Sequence, residues 1–250
     1  MKILLKLAYV GTAYCGWQAQ NNGNTVQQKL TDAVNRLFGF ECDVTGCSRT
    51  DSGVHANGFC ATVSKRGEQD IETTVPTERI PRAVNCFLPD DISVLSAEWV
   101  AGSFHARYDV KSKEYVYRIF TRQERDPFLA DRVWHHPKPL DVDSMNVAAQ
   151  HFVGLHDFSA FMSQGSKIVD TRRTVFFAEV SSRGDTVEFR VSADGFLYNM
   201  VRIMTGTLVE VGEGKLSPED IPGIIVSRDR SSAGITAPAC GLYLDKVFYK

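Results

Sequence analysis

The sequence predicts an α+β protein with a mostly antiparallel sheet. Short alternating runs recur along the 250-residue chain, and turns of the hairpin kind join several of them. Amphipathic helical stretches interleave with these hairpins, instead of following each strand as a doubly wound parallel fold would require.

The first element is a strand over residues 3 to 9, where Ile3, Leu5, Leu7 and Tyr9 share the better apolar face and Leu4, Lys6 and Ala8 the other. A glycine-containing loop, VGTAYCGWQAQNNGN, follows. Thr25 and Gln28 then form a capping-box pattern, and Val26, Leu30, Ala33, Val34, Leu37 and Phe38 recur at helical spacing until Gly39 stops the helix. ECDVTGCS and GFCATVSK read as the next two strands, flanking the stretch GCSRTDSGVHANGF at 46 to 59. After residue 110 the order recurs: a strand through Tyr115, Tyr117 and Ile119, a helical stripe of Met145, Ala148, Ala149, Phe152 and Val153, and a hairpin from RRTVFFAEVS to TVEFRVSADGF around Arg183-Gly184-Asp185. Two β-α-β-β halves are therefore expected, 1–105 and 106–250. A helix from Phe196 to about Val211 carries Leu197, Met200, Val201, Met204, Leu208 and Val211 in one stripe, with Arg202 about 140° from its centre. CGLYLDKVFYK closes the chain as a strand.

Composition removes several function classes. Apolar residues are 43% and charged residues 23%, ordinary globular usage, and no segment is long and apolar enough for a membrane span. The opening run is too short and too regularly alternating for a signal peptide, so a soluble cytoplasmic protein is expected. Six cysteines in a chain this long do not suggest a disulfide framework. Cys42, Cys47, His55 and Cys60 match no familiar zinc spacing, and buried or free thiols are expected there. With 28 Lys and Arg against 30 Asp and Glu, non-specific nucleic-acid binding is disfavoured, although a local basic cleft is not. The densest positive groups are Lys65-Arg66, RYDVKSK at 107 to 113 and DTRRT at 170 to 174.

There is no Walker loop, GxGxxG, GxSxG or HExxH. Asp51 remains, and two roles fit it. Asp51-Ser52-Gly53 can be a turn whose carboxylate accepts a backbone N–H. Alternatively Gly46 and Gly53 let backbone approach a ligand, Arg49 supplies a cation, and Asp51 is a positioned, ionised carboxylate.

Arg49-Thr50-Asp51-Ser52-Gly53-Val54-His55-Ala56 closely resembles the R-T-D-[AS]-G-V-H-A motif of the tRNA pseudouridine synthase A family. YVGTAYCGWQAQ, TVQQKL, SFHARYDVKSKEYVY, VGLHDFSAF, FLYNMVRIMTG and GITAPACGLYL resemble further family segments, in order and over essentially the whole chain. The resemblance implies two similar halves with helices on one face of the sheet and an active cleft between them. It implies conversion of uridine to pseudouridine at positions 38, 39 or 40 of the tRNA anticodon arm, by a homodimer, with no cofactor.

By the same resemblance Asp51 is the catalytic aspartate, Arg202 its partner and Tyr115 the active-site tyrosine. Leu242 or Leu244 packs the pocket, Arg49 holds the target nucleotide out of its helix, and Arg107 of the F-H-A-R segment joins the substrate contacts. The 1–105 half would carry the aspartate loop, and the 106–250 half Tyr115 and Arg202. Taken singly, Tyr115 reads as a core tyrosine and Arg202 as a solvated helix residue. His55, His105 and His156 are structural or RNA-contacting. The family usually has glycine where this chain has Ser48; if that position needs positive φ, serine costs on the order of 1 kcal/mol. A paralogue acting on another RNA, an RNA-binding module without catalysis, and a glycosidase or nucleoside hydrolase are the rival readings.

Overall fold

The computed structural model describes residues 1–21, 23–165 and 168–249. The chain forms two compact units, Met1–Lys111 with Leu244–Lys250, and Ser112–Tyr243. Both are α+β, and the strand pairing is mostly antiparallel, as the alternating runs and hairpins require.

In the first unit β1 (Lys2–Tyr9) buries Ile3, Leu5, Leu7 and Tyr9 to 4% exposure or less, while Lys6 on the other face stays in solvent. α1 (Val26–Phe38) begins where Thr25 accepts the Gln28 N–H and ends at Gly39 in the left-handed region, φ 76°. Only half of the capping box forms, because the Gln28 amide turns forward to Asp32 at 2.8 Å. α1 buries Val26, Leu30, Ala33 and Val34. Each larger aliphatic contributes about 1.5–3 kcal/mol relative to exposure. β2 (Cys42–Gly46), β3 (His55–Lys65), the short α2 (Ile80–Asn85) and β4 (Ile92–Val100) complete this half. α2 and β4 are not evident in the sequence. β3 and β4 flank β1 antiparallel, and β2 pairs with β3.

The second unit is built on β5 (Val110–Phe120), whose first two residues belong to the first unit. Here β6 (Trp134–His135) lies parallel to β5, and α3 (Val142–Gln150) precedes β7 (Gly154–Asp157). β8 (Arg172–Arg183) and β9 (Thr186–Ala193) form the expected hairpin, with Gly184 at φ 59° in its turn. The order is β5-β9-β8-β7. Phe152 and Val153, placed in a helical stripe by their spacing, lie beyond the end of α3. α4 (Met200–Gly212) starts four residues later than the periodicity suggests, since Asn199 sits at φ 60° and interrupts the helical run from Phe196. α5 (Asp220–Ser227) follows, and β10 (Leu242–Tyr249) returns to the first unit beside β3. No helix among the described residues is long and apolar enough to cross a membrane.

Candidate functional site

The stretch from Cys47 to His55 links β2 to β3 and is clamped by the loop after β1. The register of β1 shifts between Leu7 and Tyr9 against β3 and between Lys6 and Leu7 against β4. The Tyr9 hydroxyl lies 2.8 Å from Thr50 Oγ1. Trp17 N–H donates to the Thr50 carbonyl at 3.2 Å, and Gly53 N–H and the Ser52 hydroxyl donate to the Tyr14 carbonyl at 3.3 and 3.2 Å. Val54 N–H closes a β-turn onto the Asp51 carbonyl at 3.2 Å, with Gly53 at φ 78° as its third residue. That is the position at which a type II turn calls for glycine. So the turn role of this segment is real, and it holds Asp51 at the turn's first position.

Two glycines make the clamp possible. A Cβ at Gly16, φ 84°, would lie 2.3 Å from the Thr50 carbonyl oxygen, and one at Gly11 would lie 2.0 Å from that of Val54. Gly11 N–H donates to His55 Nδ1 at 2.9 Å, and His55 is wholly buried. His55 is therefore structural. Its Nδ1 is an acceptor, which puts the neutral ring's proton on Nε2. Tyr14 anchors the loop from behind, its hydroxyl donating to Asp91 at 2.5 Å, with burial and that carboxylate raising its pKa. None of these supports is visible from Asp51 alone; the only trace of them in the sequence is the pair of glycines in YVGTAYCGWQAQ, which the motif reading leaves unassigned.

The missing side chain at Gly46 makes room for two rings: a Cβ there would meet Trp17 Nε1 at 2.5 Å and Phe59 at 2.8 Å, and these rings stack at 4.0 Å. Trp17 is core. Ser48 carries no strain either, since the non-glycine residues at positive φ among those described are Asp131, Asn199 and Arg228. Ser48, exposed Arg49 and Arg107 line one open groove of about 250 Å³ in the first unit. Leu244, in the same unit, is fully buried.

Cys47 Sγ accepts the Cys60 N–H at 3.4 Å, and no group of three or more His, Cys, Asp or Glu among the described residues could hold a metal ion.

In the second unit Tyr115 is 6% exposed on β5 and meets Phe196 edge-on at 5.0 Å. Two residues further on, Tyr117 donates to the Pro238 carbonyl at 2.7 Å, and burial holds its phenol well above the usual range. Leu242 is 6% exposed at the start of β10. α4 carries no open polar face opposite its stripe: every one of its residues except Arg202 and Glu210 is buried. The face expected to be solvated is covered by residues 233–237. A Cβ at Gly206 would lie 1.9 Å from the Ile235 carbonyl oxygen, and Gly234 N–H donates to Thr207 Oγ1 at 3.0 Å. This interlock fixes Arg202. Its Nε donates to the Ala237 carbonyl at 2.7 Å, its Nη1 to Asn199 Oδ1 at 2.9 Å, and its own carbonyl accepts the Ala237 N–H at 3.1 Å. Arg202 is thus a held guanidinium and no free surface charge. The left-handed Asn199 that starts the helix also supplies the acceptor.

The family described as tRNA pseudouridine synthase matches residues 7–109 and 148–250, which include the clamped turn, the groove's two arginines and Arg202. The class is therefore that of the isomerases, and the protein is an enzyme. The chain belongs to the tRNA pseudouridine synthase family. A tRNA pseudouridine synthase A from Thermoanaerobacter sp. (strain X514) is 43% identical over 247 residues, covering 99% of each chain. One from Acetivibrio thermocellus is 45% identical over 248 residues, and a tRNA pseudouridine synthase A 2 from Clostridium perfringens 43% over 247, again covering 99% of each. Among solved structures, a chain of a Cbf5-Nop10-Gar1 complex is similar at 12% identity and a TM-score of 0.36, over 83% of this chain and 45% of that one. That likeness is too slight to bear on the fold.

Proposed function

We propose that the protein converts uridine to pseudouridine at positions 38, 39 or 40 of the tRNA anticodon arm, with Asp51 as the catalytic carboxylate. The observation that carries this reading is the rigid presentation of Asp51, on a turn bonded to Tyr9, Tyr14 and Trp17, inside the segment that matches the family. The reaction breaks the N1–C1′ bond and joins C1′ to C5. The C5 proton leaves for water and N1 gains one, so atoms balance without a redox partner. Asp51 attacks C1′ or removes a ribose proton toward a glycal; either role needs an ionised carboxylate in fixed geometry.

Arg202 is the cation for that carboxylate, and the bonds to Ala237 and Asn199 preorganise it for the task. Tyr115 stacks on the uracil, which its low exposure and braced ring suit. Its hydroxyl takes part in proton transfer. Leu242 or Leu244 supplies an apolar wall that keeps water from the detached base. Arg49, exposed beside the groove, holds the target nucleotide out of its helix, which costs a few kcal/mol. The 1–105 half carries the aspartate loop, and the 106–250 half carries Tyr115 and Arg202. The protein acts in the cytoplasm as a homodimer, so a chain of net charge −2 gathers its arginines into paired basic surfaces.

The test is tRNA labelled with tritium at uracil C5. Label released to water while the base stays on the RNA is the expected result. Free labelled uracil would mean hydrolysis, and no release with retained binding would mean an RNA-binding protein without this chemistry.

A further inference from the structure

The groove beside the aspartate turn holds more than its two arginines. Its walls include Arg49, Arg107, His105, Tyr108 and Gln18, and no Asp or Glu lines it, in a chain where acidic residues outnumber basic ones. Tyr108 is 75% exposed, an unusual state for a large aromatic beside two cations. Its ring does not hang loose. The His105 ring lies 4.2 Å away at 32°, and the Arg107 guanidinium is 5.9 Å from the ring centre. The backbone beneath is tied as firmly: Arg107 and Tyr108 N–H both donate to His105 Nδ1, at 3.1 and 3.3 Å. His105 N–H donates to Asp109 Oδ2 at 2.9 Å, and Asp109 N–H returns to the His105 carbonyl at 3.1 Å. Two acceptor contacts at Nδ1 leave the neutral imidazole's proton on Nε2. The result is a rigid aromatic face, open to solvent and flanked by positive charge.

We propose that this groove is a second nucleotide subsite, in which an unpaired RNA base next to the target uridine stacks on Tyr108 while Arg49 and Arg107 hold the phosphates on either side of it. Rigid aromatic platforms within basic grooves take single-stranded bases in this way, with little preference for which base, because every base has a π face. A groove of about 250 Å³ has room for one. Arg49 is two residues from Asp51 on the clamped turn, so a nucleotide gripped there lies next in the strand to the one that reacts. This inference rests on the RNA-isomerase reading and adds what selects the substrate: an anticodon arm with a neighbour free to unstack, as loop-proximal positions provide.

The experiment compares wild type, Tyr108→Ala and Tyr108→Phe in tRNA binding and in tritium release from C5-labelled tRNA. Tyr108→Ala is expected to weaken binding by about ten-fold or more. The loss should appear mainly in KM and persist when the flanking base varies, while Tyr108→Phe keeps most of the affinity because the ring remains. A second substrate, with the flanking nucleotide made abasic, should bind wild type about as weakly as intact tRNA binds Tyr108→Ala, and should show no further loss with that variant. Wild-type affinity for Tyr108→Ala, or equal loss in the Ala and Phe variants, would overturn the subsite while leaving the isomerase reading intact. Absence of tritium release from wild type would overturn that reading instead. Unchanged circular dichroism and melting temperature in both variants would separate these effects from unfolding, as the exposure of the ring requires.

Discussion

Replacing Gly16 by alanine places a methyl group 2.3 Å from the Thr50 carbonyl oxygen, at a residue whose φ is +84°. Left-handed backbone costs an L-residue roughly 1–2 kcal/mol, and a forced contact in packed surroundings roughly 1–3 kcal/mol more. The sum is about 2–5 kcal/mol, or roughly 4–20 °C in Tm for a chain of this size. Gly39→Ala is the matched control, since that residue has φ +76° and nothing within 4 Å of its would-be Cβ. It carries only the backbone part and should lose about 2–8 °C. The functional difference is larger. Thr50 adjoins Asp51, and relieving the Gly16 clash moves the turn; a displacement near 1 Å costs on the order of 100-fold in rate. Thermal melts and tritium-release kcat on both variants check this. Equal stability losses with wild-type kcat in both would refute the claim that Gly16 holds the aspartate turn.

Gly206→Ala should be worse tolerated than Gly223→Ala, because the former meets the Ile235 carbonyl at 1.9 Å and the latter meets nothing within 4 Å. Activity should fall with it as α4 moves Arg202, and similar melts for the two would count against the interlock. The hydrogen bond from Lys215, helped by Lys138, holds the Glu213 carboxyl below its usual range. A lowered folded pKa contributes stability above the unfolded value near 4.5 that is lost as pH falls through the folded one. Glu213→Gln should therefore flatten the acid limb of a Tm–pH curve below about pH 4.5, and an unchanged limb would refute this. Exposed Cys15 and Cys86 should react quickly with a thiol reagent at pH 8. Cys42 and Cys60, buried and pushed up to about 11, should react only after denaturation, and fast labelling of either by mass mapping would contradict the fold.

The elements legible in the sequence were those whose own residues mark both pattern and ends. α1 has Thr25 and Gly39 at its limits, and β1 alternates without a break. β4 is not legible in the sequence because only Ile92 and Val94 are buried along it, while Leu95 is exposed and Glu98 sits on an edge strand. α5 contains Pro222 and Gly223, so its helix rests on the burial of Ile221, Ile224 and Ile225 and little on propensity. At the candidate site the motif exposes Arg49 and Asp51 but hides their supports. That Gly16, Gly11 and Tyr14 brace this turn is set by contacts 34 to 44 positions distant, from these three residues to residues 50 to 55. The helical period placed Arg202 off the apolar stripe correctly, yet it could not show that residues 233–237 cover that face and bond the guanidinium. Ser48 reads as a departure only while its backbone is unknown.

The central claim is that Asp51 performs the isomerisation and that the clamped turn exists to present it. Asp51→Ala, assayed with tRNA tritiated at uracil C5 over a single turnover, tests this most directly. The account predicts that the variant still binds tRNA and releases no label above background. Label release by Asp51→Ala at a rate near that of wild type would contradict it.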